Sequence, residues 1–164
     1  MIPAPHSNAL AFDHYERHIL IELQANARLT NQELAERVNL SPSACWRRVK
    51  ALEDAGVILR YAAILDPRKV GFGESVFAHI TLARHSAALN REFTDAISRH
   101  PEVMECFTTT GEADVLLRVV TPNVPAYDAF LEEAIFTAPG IGQVRSNFAL
   151  RQVKFETALP IAKP

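Results

Sequence analysis

An α+β chain of two modules, three helices followed by a βαββαβ domain, is what the sequence predicts, and three observations predict it. Two capping-box spacings and a Ser-Pro helix start mark three short helices before residue 60. From residue 74 the apolar pattern switches between period 2 and helical spacing, in the order strand, helix, strand, strand, helix, strand. Charge is divided too. Residues 28 to 70 carry eight basic side chains against five acidic ones, net +3, which leaves −5 for the rest of a chain whose net charge is −2. That asymmetry points to two modules with different partners.

The 164 residues are 48% hydrophobic and 22% charged, as expected of a globular protein. Cys45 and Cys106 make no CxxC pair and no even-spaced framework, which fits a reducing cytosol. Residues 1–11, "MIPAPHSNALA", read as a flexible arm with neither the basic start nor the long apolar stretch of a signal peptide. No apolar run approaches the roughly 18 to 20 residues that span a bilayer. A soluble, cytoplasmic protein is expected, with no membrane partner.

The first helix opens at "DHYE", where Asp13 and Glu16 have capping-box spacing, and Ile19, Leu20 and Leu23 form its apolar stripe. The second opens at "TNQE" with Thr30 and Glu33 in the same relation, and Leu34, Ala35 and Val38 face inward. "NL" makes a short turn. The third has Ser41 as N-cap, Pro42 at its first position and Gly56 as a left-handed stop. Two short helices joined by about four residues, with a third before them, form a helix-turn-helix. On a wheel of about 100° per residue, Cys45, Val49 and Leu52 of the third helix share the core arc. Ser43, Arg47 and Lys50 lie opposite, flanked by Trp46 and Arg48, with Asp54 at the far end. Such a strip is often only a solvated face. On the second member of a helix-turn-helix, small residues at its start let the backbone approach base edges and phosphates, so docking in the major groove is expected.

"LTNQELAERVNLSPSACWRRVKALEDAGVI", with "YAAILDP" after it, resembles the Lrp/AsnC family of leucine-responsive, or feast/famine, transcriptional regulators. The likeness runs over roughly residues 12 to 160. It implies a winged helix-turn-helix domain over 12–60 that binds double-stranded DNA, with Ser41, Ser43, Arg47, Arg48 and Lys50 at recognition-helix positions. Rim packing, not base stacking, is expected of Trp46. "ILRYAAILDPRKVGFG" suggests a short strand and then a hinge with Gly71 and Gly73. By resemblance, residues 61–73 are the linker to the second domain. "GFG" neither follows a strand nor opens a helix, so a dinucleotide loop is not expected.

In the second module "SVFAHITL" reads as a strand, and "ALNREFTDAISRH" as a helix with Leu89, Phe93, Ala96 and Ile97 on one face. "EVMECFTTT" and "ADVLLRVVT" read as strands joined by "GE", "NVPAYDAFLEEAIF" as a helix, and "QVRSNFALRQVKFET" as a long closing strand. The order is that of a ferredoxin-like domain, placed at 74–160. Both helices should cover one sheet face. Phe77, Leu116 and Val120 leave the other face partly apolar, which predicts a dimer through the sheets. The resemblance implies an effector-binding and oligomerisation domain whose dimers often assemble into octamers.

"TTTGEAD" reads as a hairpin turn with Gly111 at positive φ. Exposed Glu112 and Asp114 beside the threonines would also suit an ammonium group. In the family, the matching Gly-acidic-x-Asp segment lies near a small-molecule site, so Thr110, Gly111, Glu112 and Asp114 are the expected effector residues, with an amino acid as the expected effector. The family's third position is often aromatic; here it is Ala113. Signals for an enzyme are thin. His14 and His18 have i, i+4 spacing without a third ligand, and His79 and His85 read as ordinary strand-end residues. No phosphate loop, nucleophile elbow or carboxylate pair is present. No cofactor and no metal are expected. The contrasting reading is an enzyme like the siroheme decarboxylases, which share this architecture and use histidines and a tetrapyrrole cavity. A third is a ligand-buffering protein with a vestigial DNA module.

Overall fold

The computed structural model describes residues 12–83, 87–138 and 140–162. The arm over 1–11 and His85 lie outside them. Two compact units divide the chain: one built from residues up to Ala63 together with those from Lys154 onward, the other spanning Ile64–Val153.

In the first unit, α1 (His14–Ala25) and α2 (Asn31–Arg37) each begin with a complete capping box. The Asp13 carboxylate accepts the Glu16 amide at 2.8 Å while Glu16 accepts the Asp13 amide at 2.9 Å. Thr30 and Glu33 repeat the exchange at 3.2 and 2.7 Å. Four residues separate α2 from α3 (Pro42–Asp54), and Asn39 takes the left-handed conformation there, at φ 55°. The Asn31 amide donates to the Pro42 carbonyl at 2.9 Å, fastening the start of α2 to the first turn of α3. Beyond α3, Gly56 sits at φ 69°, and its amide and that of Val57 return to the carbonyls of Glu53 and Leu52, a Schellman closure. Ile19, Leu20, Leu34, Ala35, Val38, Cys45 and Leu52 are buried together, with Val49, Val57 and Ile161 packed against them. Ile161 is held there by a clamp: the Gln24 side chain accepts the Leu159 amide at 2.6 Å and donates to the Leu159 carbonyl at 3.3 Å. The short strand expected after Gly56 does not form. The amides of Val57 and Ile58 are both used on Leu52, and residues 59–65 run on without a ladder partner, with Leu59, Ile64 and Leu65 exposed.

The second unit carries β1 (Glu74–Leu82), α4 (Ala87–Ile97), β2 (Val103–Thr108), β3 (Val115–Thr121), α5 (Val124–Phe130) and β4 (Ile141–Phe148). Its sheet is antiparallel throughout, in the order β2-β3-β1-β4, as the ferredoxin-like reading requires. Val76, Ala78 and Ile80 of β1 alternate inward, and Val115, Leu117 and Val119 of β3 do the same against Phe93, Ile97, Tyr127, Phe130 and Ile135. Phe77, Phe107, Leu116 and Val120 lie on the opposite face, where among the described residues no helix of this unit covers them.

Three expectations need correction. The second helix does not run on as one α-helix: Leu131–Ile135 widens into a π-turn closed by the Phe136 amide on the Leu131 carbonyl, and Ala134 and Ile135 are both buried. The closing strand stops at Phe148 instead of residue 157. Phe148 pairs with Val76 and the Ala149 amide reaches Ser75, but two residues further back the Gly73 amide is already bonded to Pro122, so β1 offers no more ladder. By contact, residues from Lys154 onward group with the first unit. Finally, β2 and β3 are joined by six residues, 109–114, and not by a tight Gly-Glu turn.

Candidate nucleic-acid interface and ligand loop

The exposed strip on α3 is shaped by what its polar residues already hold. Ser41 is the N-cap: its Oγ accepts the Ala44 amide at 3.3 Å and lies 3.3 Å from the Ser43 Oγ. Ser43 and Arg47 are exposed, and Arg47 has no ion pair or hydrogen bond among the described residues. Lys50 leans along its own helix to Asp54 at 2.8 Å and Glu53 at 3.9 Å, and the hydrogen bond it donates to Asp54 raises its pKa. Arg48 is turned away. Its Nη1 meets Asp13 at 2.5 Å and Glu16 at 3.9 Å, and its guanidinium lies 5.2 Å from the Tyr15 ring centroid. The sequence placed it at the edge of a DNA face; in the structure it ties α3 to the first turn of α1. Asp13 is accordingly held below the usual carboxylate range, first by the Glu16 amide and then by Arg48. Asp13 and Arg48 are 35 residues apart, so no local pattern announced this pair.

On the second unit, the 109–114 loop is organised by Asp114. Its amide bonds to the Ile80 carbonyl at 2.9 Å and its carboxylate accepts the Leu82 amide at 2.8 Å, which draws the loop onto the end of β1. The Thr109 hydroxyl donates to Ala113 at 2.7 Å, and Thr81 donates to the Glu112 carbonyl at 3.0 Å. Asp114 is therefore half-buried and structurally engaged, not the exposed acid the sequence suggested. Gly111 has φ 112°, with no atom within 4 Å of where a Cβ would sit. Thr110 and Glu112 are exposed, and the Glu112 carboxylate pairs with Arg145 at 3.0 Å. Sequence reasoning missed Arg145: only the pairing of β1 with β4, which sets it opposite His79, brings it here. His79, Thr81, Glu112, Ala113, Gln143 and Arg145 line a recess of about 20 Å³. That is room for a water, far below the size of an amino acid.

His18 lies 3.8 Å from Glu22, and its ring meets that of His14 edge-on, with centroids 6.3 Å apart. Among the described residues no three His, Cys, Asp or Glu side chains are grouped to hold a metal ion. No helix among them is long and apolar enough to cross a membrane.

Two family models match the chain: a winged helix-turn-helix DNA-binding domain over residues 12–58 and the Lrp/AsnC ligand binding domain over 75–159. The DNA-binding transcriptional activator DecR of Escherichia coli (strain K12) is 38% identical over 149 residues, which cover 91% of this chain and 98% of that protein. The leucine-responsive regulatory protein of the same organism is 36% identical, with 91% of each chain covered. Among solved structures, a transcriptional regulator from Neisseria meningitidis in complex with L-Met has a TM-score of 0.84 at 40% identity, covering 91% of this chain and 96% of that one. An AsnC family regulator from Agrobacterium tumefaciens has a TM-score of 0.85 at 42% identity, covering 91% and 97%.

Proposed function

Because the chain belongs to the Lrp/AsnC family, we propose that it is a sequence-specific transcriptional regulator that binds double-stranded DNA through α3 and responds to an amino acid through its second domain. One observation carries the first half: the exposed strip of Ser43 and Arg47 on a helix whose opposite side closes the core of a helix-turn-helix. Arg47 is the base-reading or phosphate-reading cation. Ser41 and Ser43 bring the start of the helix close to the duplex, Lys50 adds charge at the rim, and Arg48 acts indirectly by holding α3 on α1.

The L-Met complex of the Neisseria relative favours an amino-acid effector. We place it beside Thr110, Gly111 and Glu112, with Asp114 shaping the loop. A water-sized recess needs completing by a second chain, so the site belongs to a junction between copies. The uncovered side chains Phe77, Phe107, Leu116 and Val120 supply the apolar surface for a homodimer, and dimers assemble further into an octamer. Two-fold symmetry sets inverted half-sites about one or more helical turns apart. The protein acts in the cytoplasm as a DNA-binding domain (12–60), a linker (61–73) and an effector domain from residue 74. The relatives described above are regulators, and no observation favours the decarboxylase reading. Selection of genomic fragments by the full-length protein, followed by calorimetry and sedimentation with the common amino acids, tests the proposal. Enriched fragments whose affinity changes with one amino acid are the expected result; absence of any enrichment would refute it.

A further inference from the structure

Trp46 is the fifth of the 13 residues of α3 and is 58% exposed. Its indole makes no hydrogen bond, ring pair or cation contact among the described residues. The other large aromatic exposed in this unit before Ala63, Tyr61, bonds through its hydroxyl to Glu53 at 3.0 Å. Trp46 therefore presents a broad apolar plane to solvent beside Ser43 and Lys50, its neighbours one turn away on either side. Meanwhile the polar inventory of the strip is reduced: Ser41 caps the helix, Arg48 holds α1 and Lys50 leans on Asp54. Ser43 and Arg47 remain as hydrogen-bonding readers, and both recognise polar base edges. The one apolar group on a base edge of the major groove is the C5-methyl of thymine.

Building on the assignment of α3 to the groove, we propose that Trp46 is a specificity-determining residue that reads thymine through its C5-methyl group. Its position in the first half of α3 suits this, because recognition helices contact base edges with their N-terminal residues. The contact is made to the methyl group in the groove with the duplex stacked, so no base is displaced.

The chain contains a single tryptophan, so its fluorescence reports this residue alone. The probe is a duplex enriched from a random-sequence library by the full-length protein, with each thymine replaced in turn by deoxyuridine, which lacks only the methyl. Binding of the unmodified duplex is expected to shift the emission to the blue. At least one replacement is expected to weaken wild-type binding about fourfold, the factor for one buried methyl group. The same replacement should leave Trp46→Ala unaffected, while Trp46→Phe keeps part of the discrimination. If every uracil duplex binds the wild type as well as its parent, or Trp46→Ala suffers the same loss, the proposal is overturned. A Trp46→Ala loss that is uniform across all duplexes also overturns it, and marks rim packing instead. Failure to enrich any duplex, with unchanged emission, overturns the DNA-binding reading along with it.

Discussion

Replacing Arg48 and Arg47 by alanine, one at a time, separates two functions that adjacent arginines of one motif would be assumed to share. Arg48 bonds Asp13 and lies over Tyr15 with its side chain only 31% exposed. A partly exposed ion pair contributes about 0.2 to 1 kcal/mol, and a cation over a tyrosine face about 0.5 to 1 kcal/mol. Arg48→Ala should therefore destabilise the first unit by about 1 to 2 kcal/mol, which for a domain of this size lowers Tm by roughly 4 to 15 °C. Arg47 is exposed and makes no ion pair or hydrogen bond among the described residues, so Arg47→Ala should leave Tm unchanged. Binding to an enriched duplex, measured well below both melting points, should reverse the order. Arg47→Ala should lose about 5- to 150-fold, the range for a lost base contact, while Arg48→Ala stays within about threefold of the wild type. Thermal melts and fluorescence-anisotropy titrations at several salt concentrations give both readouts. If Arg48→Ala melts with the wild type but binds more weakly and with a shallower salt slope, Arg48 is a phosphate contact and its assignment to α1 fails.

Asp13 gives a prediction with pH. Its pKa is lowered from 3.8, so its contribution to folding is complete above that value and is lost as pH falls through the lower folded-state value. Asp13→Asn keeps a capping oxygen and removes the charge, so wild type and variant should differ by under about 1 kcal/mol near neutral pH and converge as pH falls through the lowered folded-state value of Asp13; a gap that persists in acid contradicts the pairing. Asp114→Ala leaves the Leu82 amide without its acceptor, a loss of about 1 to 3 kcal/mol, and hydrogen exchange at Leu82 should accelerate accordingly; unchanged protection there would rule out the anchoring role. At Gly111 there is space for a Cβ but φ is 112°, so Gly111→Val should lower effector response more than DNA affinity, while Asn, which tolerates positive φ better, should be milder. Equal effects of Val and Asn would show that backbone conformation is not what the position requires.

Features that a short window of sequence can hold were legible in it. The Asp13–Glu16 and Thr30–Glu33 boxes, the Ser41-Pro42 start and the Gly56 stop are satisfied by neighbours three to five residues away, and all form as read. Strand identity in β1 and β3 followed from alternation, because each has one face on the core. What could not be read depends on partners distant along the chain. The pairing of Arg48 with Asp13 joins residues 35 positions apart. Asp114 looked like a free acid, yet its acceptor role was set by Leu82, 32 residues away. The end of β4 was hidden for a related reason: residues 149–157 keep strand-like composition, but a strand ends where its neighbour's free backbone does.

Leu159 follows Gln24 by 135 residues, yet the two close the clamp that seats Ile161 in the first unit's core. A ribosome adding ~5 to 20 residues per second needs roughly 7 to 27 s to make that interval. For that time a nascent chain carries α1, α2 and α3 already capped, with the apolar surface that Ile161 will cover still open to water. The three helices can nucleate from local signals alone, but their domain matures only after the whole of the second unit has been synthesised. Vectorial synthesis thus keeps the DNA-binding half incomplete until the effector half exists, and a message truncated within the second unit yields helices that are formed but unsealed.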